Sequence, residues 1–222
     1  MTRNAFAAIV VSRLRSGRRT TAFACATAAI VGFIQPHGIS TISDPLTADL
    51  TTRSVWLAGP MFFCSAIGIA LALMQGPGRH PYLDISERSA PLFGRELARA
   101  KAVAPVVTAM LAAFVYWFAQ FLTGFAAPPT FFVLALASVI ACTLVALNAT
   151  LRSGNAKLLY ISLAFATSAI AYIFAVYADA YTTKTGDAIG VATELLFCGL
   201  VSYVALRQYG EALARSDALT VE

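Results

Sequence analysis

The chain has 222 residues, of which 59% are hydrophobic and 12% charged, and a formal net charge of +5. Soluble domains of this size carry about 25% charged and about 45–50% apolar residues, so the composition excludes an ordinary soluble domain, and it is too hydrophobic for a disordered chain. An all-α polytopic membrane protein remains, with length for about six spans of roughly 20 residues each and none left for a separate catalytic domain.

Taken in chain order, residues 2–16 come first. Phe6, Ile9, Val10 and Leu14 recur at helical spacing, while Asn4, Ser12 and Arg15 fall on another face. This pattern predicts an amphipathic helix lying in the headgroup layer; the alternative is a basic tail that only fixes topology. Arg18-Arg19 precede an apolar run and Ala24-Cys25 faintly resembles a lipidation site. No hydrophobic core separates them, so the run is read as a retained first span. Six apolar segments are expected as spans, at about residues 20–35, 55–74, 102–126, 130–149, 158–177 and 188–206. All six belong to one transmembrane domain, residues 1–222. Pro60 and Pro105 fall near span ends, and Gly68, Ala164, Ser168 and Gly199 are expected to permit close helix approach.

Basic residues set the orientation. With the N-terminus inside, fourteen Arg and Lys fall on inner segments and only Arg53 and Lys184 on outer ones. Such an asymmetry predicts that both termini are cytoplasmic. Arg outnumbers Lys thirteen to three and Ala is abundant, a composition of GC-rich bacteria, so the expected location is the bacterial inner membrane. Cys25, Cys64, Cys142 and Cys198 lie in apolar stretches without CxxC spacing, and are read as buried free thiols.

The longest inner loop, residues 75–101, carries the most information. Gly and Pro between Gly76 and Pro81 break the second span. Asp84 and Glu87 have capping-box-like spacing, which starts a short surface helix that Pro91 interrupts. From Leu92 to Lys101 a new helix runs straight into the third span, and its Arg95, Arg99 and Lys101 are expected to meet the cytoplasmic lipid surface.

In layout and in this loop, the chain resembles the membrane subunits of type-2 ABC exporters. The matching residues are Glu87, Pro91, Arg95-Glu96 and Lys101. The resemblance implies a coupling helix at residues 84–89 that docks on a separate ATPase, and a pathway built with a second copy or a related chain. Asp84, Glu87, Arg88, Pro91, Glu96 and Lys101 are then the partner-coupling residues.

Independently of the resemblance, no GxxxxGK[ST] occurs in the sequence, so nucleotide hydrolysis would fall to a partner. The chain itself is expected to be no enzyme and to need no cofactor, metal or nucleic acid. Its rival reading is a non-transport scaffold or assembly subunit. Glu194 is the one acid clearly inside a span, read either as a cation or proton site or as a satisfied interhelical hydrogen bond. A carrier using Glu194 is the third reading, weakened by the lack of an inverted repeat. His37 and His80 fall on opposite sides and share no metal. Tyr116, Trp117, Phe118 and Phe121 fit an interfacial belt as well as a substrate path.

Overall fold

Why a chain this apolar folds as helices follows from the backbone: every N–H and C=O needs a partner, and a helix supplies it within one segment. The structure, a computed structural model, describes residues 2–40, 50–76, 94–123, 129–180 and 184–218. They form seven helices: α1 (Thr2–Ser16), α2 (Arg18–Ser40), α3 (Leu50–Gln75), α4 (Gly94–Leu122), α5 (Pro129–Thr150), α6 (Gly154–Ala180) and α7 (Lys184–Ala218). No strand occurs among the described residues.

Four stretches are long and apolar enough to cross a membrane: Glu96–Leu122, Phe132–Thr150, Gly154–Phe174 and Ile189–Ala214. They mark a membrane protein. Met61–Gln75 within α3 is also apolar, over a shorter length. The helices overrun the expected spans. α4 begins eight residues before position 102, so Pro105 sits fully buried inside a helix and not at its end. The expected helix leading into the third span is present as the first two turns of α4.

Helix α5 is the axis of the bundle, with α3, α4, α6 and α7 packed around it. Residues 141–149 are buried without interruption. Small side chains explain this, since Ala141, Ala146 and Ala149 let neighbouring backbones close in. Gly68 of α3 makes the same point: a Cβ there would lie 2.5 Å from Thr143 Oγ1 on α5. The α5–α6 turn is closed by the Arg152 amide donating to Ala149 O at 3.3 Å, and Gly154 then takes a φ of +58°, a region that costs glycine little. By contrast α6 and α7 turn Leu158, Leu159, Phe165, Leu196, Leu200 and Tyr203 outward.

Only Gly17 separates α1 from α2. Its amide donates to Arg13 O at 2.9 Å, and the Thr21 amide donates to Gly17 O at 2.9 Å, so helical hydrogen bonding continues across the joint. Ile9 is buried, and Phe6 and Val10 are half-buried, in a cluster that includes Leu97 and Ala98 of α4, the helix on which α1 packs. The apolar spacing read from the sequence is therefore the face that packs, with Asn4 and Arg15 exposed on the other side.

Candidate functional site

Polar side chains inside this bundle gather along α5. Ser65, Ser138, Ser168 and Glu194 are all 0% exposed, on α3, α5, α6 and α7 respectively. The Ser65 and Ser138 hydroxyl oxygens lie 3.4 Å apart, and Ser138 Oγ lies 4.0 Å from Cys142 Sγ one turn along. Cys142 donates to the Ala164 carbonyl at 3.2 Å, which fixes α6 against α5 at this level. Ser168 is one turn beyond Ala164, as Ser138 is one turn before Cys142, so the two serines share a layer. Cys198 joins that layer, packed with Met61, Leu134, Ala135, Ala141 and Ala171.

Glu194 lies between Val191 and Cys198 on α7, and both of those pack on this same cluster. Spacing of three and four residues keeps all three on one helix face, so Glu194 points into the bundle. Neither of its carboxylate oxygens has a hydrogen-bond partner, and Ser168 Oγ has none either. Among the described residues Glu194 makes no interhelical hydrogen bond. Further along α5, Asn148 Nδ2 donates to Ala205 O of α7 at 2.9 Å and to Leu144 O at 3.2 Å. Its Oδ1 is buried and unpaired.

Of the partner-coupling residues, Asp84, Glu87, Arg88 and Pro91 lie outside the described residues. Glu96 and Lys101 are described. Glu96 stands in the first turn of α4 with Oε2 buried and unpaired. Lys101 is 4% exposed, while Arg99 is exposed. This corrects the expectation that both face lipid: two residues on a helix are about 200° apart, so they cannot share a face. Arg13 is also turned inward, and its Nη1 donates to Gln75 O at the end of α3 at 3.3 Å. Carbonyls in a last helical turn lack intrahelical partners, and a basic side chain fills that need.

The aromatic group on α4 divides in two for the same angular reason. Tyr116 is buried, donates to Gln35 Oε1, accepts from Gln120 Nε2 at 3.0 Å, and tilts against Phe63 at 5.2 Å. Trp117 stacks on Phe132 at 5.0 Å and on Phe121 at 6.0 Å, while Phe118 and Phe121 are exposed. The outward set has the form of a belt. Cys64, Cys142 and Cys198 are buried free thiols and Cys25 is half-buried. Among the described residues no three His, Cys, Asp or Glu side chains gather as a metal site.

No family model, no curated protein and no solved structure matches the chain. Sequence reading identified Glu194 but missed the serine and asparagine positions around α5 as a polar set. Their signal was present: single polar residues in otherwise apolar runs, which a bilayer-facing surface would exclude.

Proposed function

We propose that the chain is the permease subunit of an ATP-driven exporter in a bacterial inner membrane. In this reading α2 and α3 complete a set of six spans, α1 lies along the cytoplasmic face, and both termini are cytoplasmic. Residues 84–89 dock on a separate ATPase, and a second copy or related chain supplies the other half of the pathway.

One observation supports the reading most. The described helices on either side of residues 77–93 are each anchored in the bundle. At the first, Gln75 O accepts from Arg13, and Gly76 is pressed against the Thr150 side chain of α5. At the second, Leu97, Ala98 and Ala100 are buried among residues of α1, α5 and α7. A push on the segment would therefore move α3, α4 and the axial helix together, as a coupling lever requires. A connecting loop has no need of such anchorage.

The test is affinity purification from native membranes in a mild detergent, with wild type beside the Glu87→Ala, Arg88→Ala double variant. An ATPase should co-purify with wild type and be lost from the variant at equal expression. Equal recovery in both, or no ATPase with either, overturns the reading and leaves the scaffold role in its place.

A further inference from the structure

We propose that Glu194 is a proton-binding group whose carboxyl is held as the neutral acid while the helices are packed as described. The inference stands independently of the permease reading.

A carboxylate with both oxygens buried and unpartnered is the least favourable form of this side chain in a low-dielectric interior, where an ion needs a counter-charge or several hydrogen bonds. Among the described residues none of these is at hand. Helices α4, α5 and α6 pack against α7. Titratable groups near this level are the thiols of Cys198 on α7 and Cys142 on α5, and the phenol of Tyr172 on α6, half-buried against the same cluster. Cys64 of α3 belongs instead to the cluster around Tyr116. Glu96, Arg99 and Lys101 of α4 lie in its first turns, beside Leu97, which packs with Tyr209 and Leu213 of α7. Glu194 is fifteen residues up α7 from Tyr209, about 22 Å by helical rise. No described cation is therefore within reach.

The choice of a proton over a metal cation follows from the lining. A metal cation needs several oxygens around it. Here the side chains packed with Cys198 include Met61, Leu134, Ala135 and Ala171, none of which offers an oxygen. A proton needs only one carboxylate oxygen. Ser168 Oγ on α6 is equally buried and unpaired, and a hydroxyl can accept from an acid or donate to its carbonyl oxygen. Ser138 and Ser65, 3.4 Å apart, are buried on α5 and α3.

Release is a simple dissociation: the O–H bond breaks, the electron pair stays on the carboxylate, and an entering water takes the proton.

Infrared difference spectroscopy of the full chain in lipid tests this directly. At neutral pH the spectrum should contain the carbonyl stretch of a protonated carboxylic acid. Labelling glutamate with carbon-13 should move that band, the Glu194→Gln variant should lack it, and Glu96→Gln should keep it. Ser168→Ala should shift its frequency without removing it. Isotope labelling needs no substitution, so the test survives a variant that fails to fold. No protonated-acid band in folded wild type at neutral pH, a band indifferent to the glutamate label, or a band that persists in Glu194→Gln overturns the proposal.

Discussion

Helices α5 and α6 are neighbours of similar apolar character with opposite surroundings. Both contain stretches long enough to cross a membrane, yet the one in α5 is 72% buried inside the protein and the one in α6 only 22%. The difference lies in side-chain size and polarity. α5 carries Ala141, Cys142, Thr143, Ala146 and Asn148 at 0% exposure, whereas α6 turns Leu158 and Leu159 outward at 63% and 58%. Lipid tails are as apolar as leucine, so hydrophobicity alone does not choose which helix goes to the centre. Close packing and polar contacts choose, and only one of these two helices is built for them.

The sharpest way to break that contrast is to enlarge an alanine on each helix. Ala146→Leu on α5, at 0% exposure, should destabilise the protein by about 1–3 kcal/mol, the usual cost of overpacking. Ala166→Leu on the exposed side of α6 should change stability by no more than about 0.5 kcal/mol. Thermal unfolding in detergent reads both, and equal effects would erase the distinction between axis and periphery. Gly68→Ala should cost about 1 kcal/mol, because its new methyl meets Thr143 Oγ1, whose hydroxyl donates to Val139 O at 2.6 Å. Adding Thr143→Ala should restore part of that loss.

A smaller effect is expected at Asn148. Asn148→Ala removes the bond to Ala205 O that ties α5 to α7, at about 0.6 kcal/mol, the average for interhelical side-chain bonds in a bilayer. Smallest of all is Leu196→Ala on α7, 74% exposed, which should stay within about 0.5 kcal/mol in the isolated chain. A second copy seated on that face would show itself as a loss of dimer in cross-linking without a loss of stability.

How much of this was readable beforehand depended on the kind of information. Long apolar runs announced the helices on α4 to α7, and the spacing of Phe6, Ile9 and Val10 announced the packing face of α1. Neighbour relations were not readable. Gly68 was expected at a close contact and is at one, but Gly199, chosen on the same grounds, has nothing within 4 Å of where its Cβ would be. A small residue permits approach and does not summon a partner. Lys101 and Arg13 were counted as markers of sidedness; their burial depends on which carbonyls and helix faces other segments bring to them. At the candidate site, Glu194 stood out as a lone acid, whereas its company of three serines came from three other helices and had no shared motif.

The docking of α1 has a consequence for biosynthesis. Its face is complemented by Leu97, Ala98 and Ala100 of α4. At ~5–20 residues per second, the ribosome needs roughly 5–20 s to reach these partners after making α1. Throughout that interval α1 has no seat. It must be held aside, by the lipid surface or by a chaperone, until α4 arrives, so a truncation that removes α4 and all that follows it should leave α1 open to proteases.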